Sequence, residues 1–62
     1  MKYEVIEYTN GGYDEEVIEV FEVFEDAENY CKKIANNYGD ENDEGLFIRC
    51  YENGKVFDEP WD

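Results

Sequence analysis

The chain has 62 residues, of which 18 are Asp or Glu and five are Lys or Arg, so its formal net charge is −13. A chain of this length buries only about 60% of its unfolded surface, which excludes a second lobe or a deep substrate cleft. Hydrophobic residues make up 42% and aromatic residues 18%, which excludes a disordered acidic tail. We therefore expect a single folded acidic domain over residues 1–62.

The charge restricts the partners that such a domain can bind. It far exceeds the magnitude of about 2–8 that serves solubility in a small domain, and its sign disfavours nucleic acid and anionic membrane surfaces. A basic partner is favoured instead. The N-terminal residues MKYEVIEYTN lack the continuous apolar stretch of a signal peptide or a transmembrane helix, so a cytoplasmic protein is expected.

The first part of the chain predicts a β-hairpin. Residues 3–8, YEVIEY, are typical of a strand, TNGGYD supplies turn residues that accept positive φ, and a second strand follows over residues 15–22. A regular hairpin then predicts three cross-strand pairs: Tyr8 with Glu15, Val5 with Ile18, and Tyr3 with Val20.

Residues 17–38 also fit one long helix, because their apolar side chains lie on a single helical stripe. Residues 17–24 are mostly β-branched or aromatic, however, which favours a strand and a break near residue 23. We therefore predict a helix over residues 24–38, followed by Gly39 as its C′ residue. Its expected buried stripe is Phe24, Ala27, Cys31, Ile34, Ala35 and Tyr38, with Tyr30 at the margin.

The second part of the chain predicts a solvated loop, DENDE at residues 40–44, and then a hairpin. LFIRCYENGKVFD, residues 46–58, surrounds Asn53-Gly54, which is typical of a type I′ turn. This register pairs Glu52 with Lys55, Tyr51 with Val56, Cys50 with Phe57, and Arg49 with Asp58. It places Leu46, Ile48, Cys50 and Phe57 on the core face, and Trp61 either covers a sheet edge or stays exposed.

The order strand, strand, helix, strand, strand predicts an α+β (ββαββ) fold, with one helix packed on a four-stranded, mainly antiparallel sheet. The spatial order 2-1-3-4 is expected, because it makes every neighbouring pair of strands antiparallel.

Two cysteines, Cys31 and Cys50, lie on the expected core faces. Without CxxC spacing and without His, they cannot complete a usual zinc site. We expect buried free thiols; a disulfide or a redox pair is the alternative.

Catalytic and metal-binding chemistry is poorly supplied. The chain has no His and no Ser, so neither an enzyme nor a cofactor is expected. Asp40, Asn42 and Glu44 match positions 1, 3 and 5 of an EF-hand loop, but Tyr51 stands where the bidentate acid is required. Loose binding of Ca²⁺ or Mg²⁺ is the alternative to no metal at all.

Glutamates recur at every third position from residue 16 to residue 28. In a regular strand this spacing places Glu16 and Glu22 on one face and Glu19 on the other. The predicted topology places one acidic cluster at the end of the sheet where the second strand begins. Loop 40–44 and the end of the last strand, with Asp58, Glu59 and Asp62, are expected to join this cluster. A second acidic cluster is expected at the opposite end of the sheet. The candidate partner-binding residues are Asp14, Glu15, Glu16, Glu19, Glu22, Glu25, Asp26, Glu28, Asp40, Glu41, Asp43 and Glu44.

A small, very acidic αβ chain with carboxylates on all sides resembles the DNA-mimic proteins encoded by bacteriophages. It is most similar in size and character to the phage inhibitor of the bacterial nucleoid protein HU. The resemblance covers the whole chain but rests on composition and architecture, so it assigns no role to any residue. It implies a non-enzymatic inhibitor that occupies the DNA-binding surface of a basic host protein in the infected bacterium.

Three alternatives stay open at this point. The acids can serve solubility alone. A host protein can bind the aromatic sheet face of Phe47, Tyr51 and Val56 without DNA mimicry, or the same three residues can form a homodimer.

Overall fold

The computed structural model describes residues 1–37 and 44–61. Within these ranges the chain forms β1 (Lys2–Thr9), β2 (Asp14–Phe21), α1 (Phe24–Ile34), β3 (Gly45–Glu52) and β4 (Lys55–Glu59). The strands make one antiparallel sheet in the order β2-β1-β3-β4, and α1 packs over β1, β2 and β3. The predicted ββαββ fold and strand order are confirmed.

The hairpin of β1 and β2 contains an irregularity that the sequence did not predict. Its turn is as expected, since Asn10, Gly11 and Gly12 all have positive φ. The register then shifts by one residue between Val5 and Ile6. The observed pairs are Tyr8 with Glu15, as predicted, but Val5 with Glu19 and Tyr3 with Phe21, so the predicted partners Ile18 and Val20 are wrong.

The shift is a β-bulge that inserts Ile18 as an extra residue in β2. As a result, both Ile18 and Phe21 pack against the core on the helix side of the sheet. Phe21 contacts Tyr30 of α1 with ring centroids 5.4 Å apart, whereas Val20 remains 45% exposed. Burying Phe21 instead of Val20 removes more apolar surface from water, which is the physical reason for the bulge.

The helix α1 begins at Phe24, as predicted, but ends at Ile34 and not at residue 38. A 3₁₀ turn, Ala35–Asn37, follows it, as is common at helix ends and consistent with the low helix propensity of Asn. Ala27 and Cys31 are buried, and Phe24, Tyr30 and Ile34 are half-buried against the same core. The expectations for Tyr38 and Gly39 lie outside the described residues.

The charges on α1 match its dipole. Glu25 and Asp26 occupy the first turn, and Lys32 and Lys33 occupy the last turn. Acids near the N-terminus and bases near the C-terminus each stabilise a helix by about 0.3–1 kcal/mol. No helix in the described residues is long and apolar enough to cross a membrane.

The second hairpin has the predicted register, with all four expected pairs from Arg49–Asp58 to Glu52–Lys55. Asn53 and Gly54 both have positive φ, as a type I′ turn requires. Phe57 lies opposite Cys50 as expected but is 42% exposed, because β4 is at the sheet edge and α1 lies over the other strands. Its assignment to the core is therefore wrong, whereas Trp61 packs partly against the core.

The core between sheet and helix is small. It consists of Val5, Ala27, Cys31, Leu46, Ile48 and Cys50. Both cysteines are buried and free, as predicted.

Candidate functional site

The edge strand β2 and the start of α1 carry a continuous series of carboxylates, which we call the acidic edge. Its six members are exposed: Asp14, Glu16, Glu19, Glu22, Glu25 and Asp26. They follow one another along the outer strand of the sheet and into the first turn of the helix. Because an eight-residue strand is about 27 Å long, the acidic edge extends along one side of the molecule.

The bulge brings two of these acids onto one face. Glu16 lies opposite Glu7 and Glu19 lies opposite Val5. Val5 and Glu7 are two residues apart on β1 and share a face, so Glu16 and Glu19 also share it. The prediction that Glu16 and Glu19 lie on opposite faces is therefore wrong, because the extra residue removes one step of the alternation.

The charge of the acidic edge is not compensated by bases. Within the described residues, Glu16, Glu22, Glu25 and Asp26 form no ion pair. Asp14 accepts a hydrogen bond of 2.6 Å from Asn10 Nδ2, and Glu19 accepts one of 3.2 Å from the backbone N–H of Val20. These two bonds orient carboxylates but leave their charge intact.

The sheet face away from α1, which we call the open face, carries apolar side chains and charged side chains that form ion pairs. Its residues, given by the registers, are Lys2, Glu4, Ile6, Tyr8, Glu15, Val17, Val20, Phe47, Arg49, Tyr51, Val56 and Asp58. A Cβ on Gly45 would overlap the Tyr8 ring, so the ring lies across that glycine and beside Phe47, 6.0 Å between centroids. Ile6, which lies opposite Phe47 on β3, is buried.

Arg49 holds two strands of the open face together. Its Nε donates to Asp58 Oδ1 at 3.0 Å, and its Nη2 donates to Glu15 Oε1 at 3.3 Å. Its guanidinium also lies 5.3 Å from the centre of the Phe47 ring. The hydrogen bond with Asp58 is the main cause that raises the pKa of Arg49. Glu15 therefore forms an ion pair, unlike the carboxylates of the acidic edge.

Glu4 is a buried charge that sequence reasoning missed. It is 9% exposed, accepts a 2.7 Å hydrogen bond from the Tyr51 hydroxyl, and lies 3.4 Å from Lys2 Nζ. Lys2 also lies 5.1 Å from the centre of the Tyr51 ring. The bond to Glu4 raises the pKa of Tyr51. The contact between Glu4 and Tyr51 follows from the register of β1 against β3, which the sequence does not specify.

The remaining predicted acids fall in three groups. Asp40, Glu41 and Asp43 lie outside the described residues. Glu44 precedes Gly45, which lies opposite Tyr8, so β3 begins at the end where β2 begins, as predicted. Glu28 is half-buried on α1, and its negative charge contributes to raising the pKa of the Cys31 thiol.

β4 runs antiparallel to β3 and therefore towards the same end, as predicted, and it ends at Glu59, opposite Ile48. Arg49 joins Asp58 of β4 to Glu15 near the start of β2, on the open face. Asp62 lies outside the described residues.

Comparison with models of known protein families, with curated proteins and with solved structures finds no match to this chain.

Two shallow grooves lie among the described residues. One, about 290 Å³, adjoins the acidic edge and is lined by Glu7, Thr9, Asp14, Glu15 and Glu16. The other, about 260 Å³, lies on the helix side of the sheet and is lined by Tyr3, Phe24, Cys50, Phe57 and Glu59. In the part of the chain that the structure describes, no group of three or more His, Cys, Asp or Glu residues is arranged to hold a metal ion. The acidic edge offers long-range attraction to a basic surface, and the open face offers apolar contact.

Proposed function

We propose that this protein is a non-enzymatic inhibitor that mimics DNA and occupies the DNA-binding surface of a basic host protein. The observation that carries the proposal is the acidic edge, whose carboxylates are exposed and largely without compensating bases. An array of fixed negative charge attracts a basic surface over long range and releases the same counterions that DNA releases.

The dimensions and charge of the molecule support mimicry of a short duplex. Its principal-axis extents are 36, 23 and 17 Å. One helical turn of B-DNA is about 34–36 Å long and carries about 21 phosphate charges, at one charge per about 1.7 Å. The chain carries 18 acids and a net charge of −13 over a similar length. Its charge density is therefore of the same order as that of DNA.

The nucleoid protein HU is the first partner to test, because the resemblance to phage DNA mimics is strongest for its inhibitor. Such an inhibitor acts in the cytoplasm of the infected bacterium. Other basic DNA-binding proteins of the host have the same surface chemistry and are tested in the same way.

The test is displacement of labelled duplex DNA from purified HU at several salt concentrations. We compare two double variants that remove the same charge from different places. Glu16→Gln with Glu22→Gln alters the acidic edge, whereas Glu52→Gln with Glu59→Gln alters exposed acids elsewhere on the sheet. The first variant is expected to displace DNA roughly tenfold less well and with a shallower salt dependence, since it releases fewer counterions.

The second double variant is the matched control and is expected to inhibit nearly as well as the parent. If both variants, shown to be folded by circular dichroism, displace DNA like the parent, the acidic edge is not the contact surface. Equal weakening by both means that net charge acts without a defined site, which also contradicts the proposal.

The second candidate function is a protein-interaction module that uses the open face without mimicking DNA. The observation that favours it is the placement of Phe47, Tyr51 and Val56 together on that face, as predicted. Binding of a host protein would then be largely independent of salt, because the contacts are apolar. A module of this kind binds without displacing DNA, so the same displacement assay separates the two functions.

A further inference from the structure

The open face differs in charge from the rest of the molecule. Its two bases, Lys2 and Arg49, are balanced against three acids, Glu4, Glu15 and Asp58, so the face carries a formal charge of −1. Among the other described residues, three bases and 11 acids leave −8. Most of the uncompensated charge of the described residues therefore lies off this face.

The open face also exposes apolar side chains on both edge strands. Val17 and Val20 on β2 are 46% and 45% exposed, and Val56 on β4 is 57% exposed. Between them lie the half-buried rings of Phe47 and Tyr51, with Arg49 against the first and Lys2 against the second. Aromatic residues and Arg within an apolar patch are enriched in the buried centres of protein interfaces.

We propose that the open face is the contact surface of a homodimer. This inference concerns self-association and does not depend on the proposed DNA mimicry. A strongly basic partner is attracted to the acidic edge, not to a nearly neutral face. A second copy of this chain, which itself carries −13, can approach closely only where the charge of both copies is compensated.

Other ways of pairing two copies are less favourable. Edge-to-edge pairing through β2 would bring its carboxylates together, which is how many proteins prevent such pairing. In a face-to-face dimer the helices and their acids lie on the two outer surfaces. The shortest extent of one copy, 17 Å, already exceeds the Debye length of about 8 Å at physiological ionic strength, so repulsion between those surfaces is screened.

The available area is sufficient for a dimer of modest affinity. Three strands about 27 Å long and one about 17 Å long, spaced about 4.8 Å apart, present about 470 Å² per copy. Two copies then bury about 950 Å², near the lower limit for a specific interface. With the twofold axis along the strands, β2 of one copy lies over β4 of the other, which places Val20 two residues along the strands from Val56.

The test measures the molecular mass of the isolated protein by sedimentation equilibrium from micromolar to millimolar concentration. Val56→Glu places a carboxylate in the proposed interface, and Val23→Glu makes the same change at a valine that is 52% exposed and lies between β2 and α1. We expect a concentration-dependent dimer for the parent and for Val23→Glu. For Val56→Glu we expect a dissociation constant about tenfold or more higher, because the carboxylate is desolvated without a partner.

Val20→Glu, on the opposite edge strand, repeats the test if Val56→Glu is unfolded by circular dichroism, and the same dissociation is expected. A parent that stays monomeric at millimolar concentration in high salt overturns the proposal, even if a host protein is found to bind the open face. Equal association of Val56→Glu and Val23→Glu overturns it as well. No DNA or host protein is present in this measurement, so its outcome is separate from that of the displacement assay.

Discussion

The ionisation of Cys31 is controlled by its burial. The thiol is fully buried between α1 and the sheet, and burial, with a smaller effect of Glu28, raises its pKa from 9.0 to about 11. Burial similarly raises the pKa of the Cys50 thiol, with Glu59 as the next cause. Both thiols are therefore poor nucleophiles in the folded protein.

This raised pKa predicts a loss of stability at alkaline pH. Below pH 9 the Cys31 thiol is protonated in both states, so its contribution is constant. From pH 9 towards about 11 the unfolded chain releases this proton and the folded chain does not, which lowers the free energy of unfolding. We expect the stability difference between the parent and Cys31→Ala, measured by urea unfolding, to fall over this interval.

All other ionisable residues are the same in both proteins, so their effects cancel in the difference. A difference that stays constant from pH 9 to 11 would show that Cys31 ionises as readily in the folded chain as in the unfolded one.

Glu4 and Glu15 show what a residue-level reading of sequence cannot decide. Both belong to a uniformly acidic sequence, yet Glu4 is buried against Tyr51 and Glu15 is bound by Arg49. Residues 34 positions apart make the Glu15–Arg49 contact. No local pattern distinguishes these paired carboxylates from the unpaired Glu16 and Glu22.

At the scale of elements, the bulge in β2 is the main departure from the predicted structure. It turns Phe21 towards α1 and Val20 towards the open face. Alternation of apolar residues in β2 does not reveal the bulge, because Val17, Ile18, Val20 and Phe21 supply apolar side chains to either register.

The bulge predicts unequal effects of truncating two neighbouring residues. Phe21→Ala removes a ring that packs on Tyr30 and is expected to cost about 2 kcal/mol of unfolding free energy, less than a fully buried Phe. Val20→Ala, at a site that is 45% exposed, is expected to cost less than about 1 kcal/mol. Urea unfolding at low protein concentration measures both losses of unfolding free energy.

The regular register predicts the reverse order, with the larger loss at Val20. A greater effect of Val20→Ala than of Phe21→Ala would therefore show that the bulge does not form in solution.

For the whole molecule, charge opposes compaction. A net charge of −13 surrounds a core of six small and medium side chains, because the chain has five bases against 18 acids. Self-repulsion of this kind destabilises a folded chain and is weakened by salt.

We therefore expect the melting temperature to rise with sodium chloride, as the Debye length falls from about 30 Å at low salt towards about 3 Å near molar salt. The double variant Glu16→Gln and Glu19→Gln keeps the side-chain volume and the acceptor for the Val20 N–H but lowers the charge. Its melting temperature should rise less steeply with salt. A parent whose melting temperature is flat or falls across the series contradicts self-repulsion as a limit on stability.

The order of the elements, the strand order and the register of the second hairpin can all be predicted from the amino-acid sequence. These follow from local chemistry: positive φ at Asn53-Gly54, strand propensity up to residue 21, and a helical stripe from residue 24. The two β-hairpins and their single helical crossover then favour the antiparallel order β2-β1-β3-β4. The overall excess of carboxylates is likewise a property of composition.

The division of that charge between the acidic edge and the open face depends on tertiary packing. The bulge places Glu16 and Glu19 on one face, and the pairing of β1 with β3 brings Glu4 to Tyr51 and Arg49 within reach of Glu15. Each of these depends on packing between segments that are distant in sequence. A Coulomb interaction depends on the distance between charges in space, so the order of acidic residues along the chain does not show which carboxylates form ion pairs.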